Sequence, residues 1–170
     1  MHQVVILNRP FLLVCEKSKM NIDRLNINNG GTPSPGFNGD VSFFSKIEKV
    51  IGFELPSNYI EMLQKQDGGH PELDTFFLTQ QNSFSVDSFY SIENKEEETL
   101  ENAISRWGKD LGKGMLPIAK DGGDNQFYLD LNESTPSVWI YLHDENEARV
   151  KLTNSLEEFV DGLNIDPDCL

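Results

Sequence analysis

In DVSFFSKIEKVIG the apolar residues Phe43, Phe44, Ile47, Val50 and Ile51 recur at helical spacing, with Asp40 or Ser42 placed as cap and Gly52 just past the end. The pattern predicts a first amphipathic helix. ELPSNYIEMLQKQDGG follows, and Pro56 suits a first helical turn because its missing N–H would be unpaired there anyway. Tyr59, Ile60, Met62 and Leu63 give this second helix a buried face, and Asp67-Gly68-Gly69 ends it. The period then changes. FFLTQ (Phe76 to Gln80) and FSVDSFYSI (Phe84 to Ile92) are aromatic and β-branched and read as strands. EEETLENAISRWGKDLG returns to helical spacing, with Leu100, Ala103, Ile104, Trp107 and Leu111 on one face and its glutamates in the first turn.

MLPIA, NQFYLDL, SVWIYLH and EARVKLT come next, four strand candidates joined by turn residues. Phe127, Leu129 and Leu131 alternate with Gln126, Tyr128 and Asp130, while Val138, Ile140 and Leu142 alternate with Trp139, Tyr141 and His143. One apolar face per strand suits an antiparallel sheet. Ser155 and Glu158 predict a capping box for a last helix whose Leu156, Phe159, Val160 and Leu163 are free to pack. Helices, a strand meander and a closing helix define an α+β class.

INNGGTPSPGFNGD (Ile27 to Asp40) has the composition of a linker, so residues 1–39 are expected to form an N-terminal extension and flexible lead-in. The domain is expected over 40–165, with 166–170 as a tail. Met20 reads as a natural beginning, which makes residues 1–19 candidates for a misplaced start. The apolar run Val4 to Cys15 is interrupted by Asn8, Arg9 and Pro10 and is too short to span a bilayer, and a signal peptide has only weak support.

Charge narrows the choice of partner. Fourteen basic against 28 acidic residues give −14, and the first 19 residues hold only one of the acidic ones. Such a surface repels nucleic acid and anionic membranes and draws in basic partners. Cys15 and Cys169 sit near opposite ends, which fits no disulfide framework or metal knuckle and suits a reducing cytoplasm.

AKDGGDNQFYLDLN (Ala119 to Asn132) invites a test for metal or phosphate chemistry. As a calcium loop starting at Asp121 it would present Gly123, Asn125, Gln126 and Asn132 at the third, fifth, sixth and twelfth positions, and only the fifth is suitable. GKDLGKG (Gly108 to Gly114) is one residue short of a P-loop and ends in Gly, and Pro117 breaks a dinucleotide pattern. The HDE of His143 to Glu145 has no P-C-x-x-C to complete a zinc deaminase site. His70 and His143 each adjoin a turn, and no G-x-S-x-G elbow occurs. No catalytic residue, metal ligand or cofactor is therefore assigned. A pocket in which Asp121, Asp124, Asp130 and His143 converge is the remaining enzyme-like reading.

Contact residues are easier to nominate. The acidic run Glu93 to Glu98, with Glu96 and Glu97 at its centre, could meet a basic partner. Trp107 shares a face with Leu100 and Ile104 and reads as core. Trp139, with Tyr141 on the same strand face, reads as lining an exposed groove.

In order, LPSNYIEMLQKQDGG, a Trp-bearing helix, LPIAKDGGDNQFYLDL, an aromatic strand ending in HDE, and LTNSLEEFVDGL resemble the SUKH superfamily from about Asp40 to Leu163. That group includes fungal cell-wall synthesis regulators of SMI/KNR type and bacterial immunity proteins. By this resemblance Pro56, Tyr59, Gly68 and Gly69 belong to the second helix and its end, and Glu157, Glu158 and Phe159 to the closing helix. Lys120 to Asn125 match the family's Gly-Asp-x-Gly-Gly-(Asp/Asn) turn, with Asp130 in the strand beyond; Lys120 stands where Gly is common. Gly122 and Gly123 are expected to supply positive φ for a tight reversal. Asp121, Asp124 and Asn125 are expected to stay exposed for a partner. The resemblance implies a single domain of N-terminal helices, a twisted, mainly antiparallel sheet, a middle helix and a closing helix. It implies a protein-binding module without catalysis, either an antidote to a basic toxin domain such as a nuclease or a regulatory scaffold.

Overall fold

The computed structural model describes residues 19–94 and 98–169. The expected extension up to Ser18, and Lys95, Glu96 and Glu97 of the acidic run, lie outside the described residues. The fold is α+β. A 3-10 turn Ile22–Leu25 leads into a hairpin, β1 (Asn28–Asn29) and β2 (Thr32–Pro33), then helices α1 (Ser42–Ile51) and α2 (Ser57–Lys65). Strands β3 (Thr75–Thr79), β4 (Asn82–Ser85) and β5 (Ser88–Phe89) precede α3 (Leu100–Leu111). The meander β6 (Met115–Lys120), β7 (Gln126–Asp130), β8 (Ser137–Leu142) and β9 (Ala148–Thr153) is closed by α4 (Leu156–Gly162) and β10 (Leu163–Asn164).

Among the described residues the named strands pair antiparallel, in sheets ordered β1-β2, β10-β3-β4 and β5-β6-β7-β8-β9, and one isolated bridge, Ser91–Thr99, is parallel. The four meander strands are those the alternation predicts. FSVDSFYSI is not one strand: its chain crosses from the small sheet to the large one at Val86–Asp87, where Val86 N–H donates to Asp74 O and Asp87 N–H to Lys120 O. Among the described residues no helix is long and apolar enough to cross a membrane.

The helices follow their caps. Asp40 Oδ1 accepts from Ser42 N–H (2.9 Å) at the head of α1, and Gly52 closes it at φ 74°. Val50, expected on the buried face, is 67% exposed; the packed stripe is Phe44 and Ile47, flanked by Phe43 and Ile51. Ser155 Oγ accepts from Glu158 N–H (3.1 Å) to start α4, and Glu158 Oε2 reaches back to Asn154 N–H. Phe159 sits fully buried between Phe76 and Phe127, ring centroids 5.5 and 5.6 Å away.

The described part of the expected lead-in, from Lys19 on, is anchored to the domain by buried apolar residues. Met20, Ile22, Leu25, Ile27 and Phe37 all belong to the main core. Arg24 donates to the carbonyls of Val160 and Leu163 (2.9 and 2.8 Å) at the end of α4, where a cation also meets the negative end of the helix dipole. Asn28 exchanges backbone hydrogen bonds with His70, and Gly69 with Phe89, so residues 20–39 form a strap joined to β5 through Gly69-His70. Composition suggested a flexible lead-in; the apolar residues spaced through it bind it to the domain.

α2 stops at Lys65 with Gln66 extended as its cap, and Gly68 and Gly69, expected to end the helix, lie beyond that cap with φ 75° and 116°. A Cβ on Gly68 would meet Ser91, and one on Gly69 would meet the Asn28 and Asn29 backbone and side chain, so strand approach and left-handed φ both require glycine. The preceding Asp67 is buried, with Oδ1 accepting from Ile92 N–H (2.6 Å) and Oδ2 from Glu93 N–H (3.1 Å). Burial raises its pKa above the usual carboxylate range, opposed by those backbone hydrogen bonds.

A stability dependence follows from Asp67. Between the ordinary carboxyl pKa and the raised folded one, the folded state holds more protons than the unfolded state, so this group's contribution falls as pH rises through that window. Asp67→Asn, which removes the titration, is expected to be more damaging relative to wild type at acid pH than at neutral pH. Urea denaturation of both proteins across the window checks this; a gap that widens with pH overturns it.

Candidate partner-binding surface

The nominated residues separate into three places. The first is the β6–β7 turn. Asp121 Oδ1 accepts from the N–H groups of Gly123 and Asn125 (2.8 Å each), and its Oδ2 accepts from Asn125 Nδ2 (2.9 Å). Asn125 Oδ1 in turn accepts from His143 N–H (3.0 Å). These two side chains are thus spent on the turn itself. The left-handed residue is Asp124, φ 68°, while neither Gly122 nor Gly123 has positive φ. The expectation that the glycines supply the reversal is corrected: the Asp121 carboxylate gathers the N–H groups of the turn and passes the left-handed step to an acidic residue, which tolerates it better than most.

Asp124 is also engaged. Its carboxylate lies 2.6 Å from Arg106 and 3.9 Å from Lys120, and Lys120 is 3.1 Å from Glu98. Arg106 covers the Trp107 ring at 5.1 Å, and the His143 ring lies 5.4 Å from that indole. His143 Nε2 is 2.8 Å from Gly123 O and its Nδ1 2.9 Å from Asp144. The turn is therefore tied to α3 and to the end of β8. Arg106 carried no sequence signal, because the packing of α3 on β6 brings it to Asp124, whereas Lys120 reaches Asp124 within the turn itself, four residues away.

Asp121→Ala removes an acceptor of three hydrogen bonds and is expected to destabilise the domain by about 2 kcal/mol or more, since one hydrogen bond to a charged group contributes roughly 1.5–3 kcal/mol and solvent can replace part of what is lost at this turn. Hydrogen exchange at the Gly123 and Asn125 amides should rise with it. Unchanged protection at both would show that the turn holds its shape without the carboxylate.

The second place is the outer face of the large sheet. Trp107, Leu111, Tyr128 and Tyr141 form a small cluster of their own, with Met115 and Trp139 packed against it. Trp107 is buried as expected, but not with Leu100, which joins the main core: α3 crosses the edge of the sheet so that its two halves meet different faces. Tyr141, nominated for a partner, is 3% exposed. Trp107 packs edge-on against it, and the Arg149 guanidinium covers it at 5.2 Å while donating to the Asp110 and Leu111 carbonyls that end α3. Burial raises the Tyr141 and Tyr128 pKa values. Trp139 is half-buried, its Nε1–H donating to Ser137 Oγ (2.8 Å) and Lys151 lying 5.9 Å over its ring.

Asp130 marks the third place. It caps the β7–β8 turn by accepting from Asn132 N–H (3.0 Å), at the opposite end of β7 from Asn125. The convergence of Asp121, Asp124, Asp130 and His143 does not occur: Asp130 stands at the far end of the five-residue β7 from the β6–β7 turn. No group of three or more metal-ligating side chains exists among the described residues.

The chain belongs to the SMI1 / KNR4 family (SUKH-1), whose model matches residues 39–162. It is similar to the SPbeta prophage-derived uncharacterized protein YokK of Bacillus subtilis (strain 168), 24% identical over 170 residues that cover 89% of this chain and 86% of that protein.

Proposed function

We propose that this chain is a cytoplasmic immunity protein that binds and neutralises one toxin domain with a basic surface, of which nucleases are the leading class, by stoichiometric occlusion without catalysis. Family membership carries the reading, since domains of this family generally bind proteins. The net charge of −14 supports it: a domain built to hold polyanionic nucleic acid offers the cationic surface that an acidic protein can cover. Trp139 is the proposed aromatic contact, with Asp124 at the edge of the surface.

Expression beside each toxin domain encoded next to it is expected to restore growth for one of them. Calorimetry with that domain should give a one-to-one complex that weakens as salt rises. Failure to protect against any neighbouring toxin domain would sink the reading. Several unrelated partners captured together would favour a regulatory scaffold.

A further inference from the structure

A groove of about 940 Å³ opens between the start of α2, the β7–β8 turn and the start of α4. Leu55, Pro56, Leu131 and Pro136 give it an apolar lining, with the buried Met20 behind. Its remaining lining is strongly acidic. Among the described residues, Glu54, Glu61, Glu133 and Glu157 face a single cation, Lys19. Lys19 reaches Glu61 at 3.5 Å, the lysine largely in water and the glutamate about half exposed, and Glu133 lies 4.0 Å from Lys151. Exposed pairs of this kind are worth about 0–1 kcal/mol and exchange readily for a better-placed cation. Glu157 accepts from Asn58 Nδ2 (3.0 Å), and Glu54 makes no ion pair among the described residues.

Two helices begin at this groove, and helix N-termini favour anions. The start of α4 is already closed by Ser155 and carries Glu157 and Glu158 in its first turn. That leaves α2, whose end is equivalent to roughly half a positive charge. Against four carboxylates and one ammonium, this does not reverse the sign.

We propose that the groove receives a segment of the basic protein partner in which Lys or Arg adjoins an apolar side chain. The apolar side chain lies on Leu55, Pro56, Leu131 and Pro136, and the cation reaches Glu54 and Glu61. This rests on the reading that the chain binds a basic domain, and it adds the surface and the chemistry of the contact.

Two experiments separate the two claims. In the first, the affinity of the toxin domain identified by growth rescue is measured for wild type, for Glu54→Lys/Glu61→Lys, and for Asp144→Lys/Glu145→Lys, an equal charge change on the exposed β8–β9 turn; thermal melts establish that the variants fold. The groove variant is expected to bind about tenfold or more weakly and the control to change far less, since contact charges act on dissociation beyond the general field. Equal losses, or an unaffected groove variant, overturn the groove and leave the function standing.

The second uses the wild-type full chain and two short probe peptides, one alternating Lys with Leu and one alternating Glu with Leu. Amide resonances of Leu55, Asn58, Leu131 and Thr135 are expected to shift with the basic peptide alone, and not in Glu54→Lys/Glu61→Lys. No shift, shifts on another face, or shifts with the acidic peptide instead overturn the proposal. So do the same amides moving when protein concentration alone is raised, or when residues 1–18 are removed, since these assign the groove to a second copy or to the chain's own N-terminal segment. A positive result here without any toxin rescued would defeat the function and keep the groove.

Discussion

A chain beginning at Asp40, close to where the family match begins, is expected to remain unfolded, whereas one beginning at Lys19 melts cooperatively. The shorter chain lacks Met20, Ile22, Leu25, Ile27 and Phe37, all buried in the main core. Burying each such side chain contributes roughly 1.5–3 kcal/mol. Together they rival the ~5–15 kcal/mol of a typical domain. The end of α4 loses Arg24 at the same time, leaving the Val160 and Leu163 carbonyls without their guanidinium. Circular dichroism melts of both chains decide it, and a cooperative transition in the shorter one would show that 20–39 is dispensable.

Gly36→Ala tests the same strap by a single methyl group. Pro35 O accepts from Asp67 N–H and Phe37 N–H donates to Leu63 O, each at 2.8 Å, so the strap is pressed on the last turn of α2. A Cβ on Gly36 would overlap the Gln64 carbonyl, its carbon only 2.8 Å away. Because backbone hydrogen bonds hold both sides, neither can retreat without breaking one. The expected loss is about 3 kcal/mol or more, a fall in Tm of about 10 °C. Gly122→Ala is the control: nothing lies within 4 Å of its Cβ position and its φ is not positive, so a change within about ±0.5 kcal/mol is expected. Equal effects at the two sites would contradict this account of the strap.

Glycine also shows what a single sequence can and cannot convey. The four strands of the meander lie where period-two alternation puts them. These signals are local, and local geometry satisfies them. Gly36 and the Gly122-Gly123 pair reverse the expectation. Gly36 lies in a stretch with linker composition, yet its lack of a side chain serves a contact with α2, nearly thirty residues on. The adjacent glycines look indispensable, yet a carboxylate shapes their turn.

The same limit applies to the surface. Alternation in β7 and β8 correctly separates two faces but does not reveal that the end of α3 and Arg149 cover Tyr128 and Tyr141 on the second one. The groove at the head of α2 was illegible for the same reason. Its four glutamates come from three separate parts of the chain, and each looks like an ordinary solvated charge where it stands.

Arg24 meets its two carbonyl acceptors across 136 and 139 residues of sequence. At a synthesis rate of about 5–20 residues per second, α4 is made roughly 7 to 30 seconds after Arg24. Over that interval Ile22, Leu25 and Ile27 have no α4 to cover them, so the nascent chain is most open to proteases and chaperones at its beginning, and completion of the core waits for the last helix to leave the ribosome.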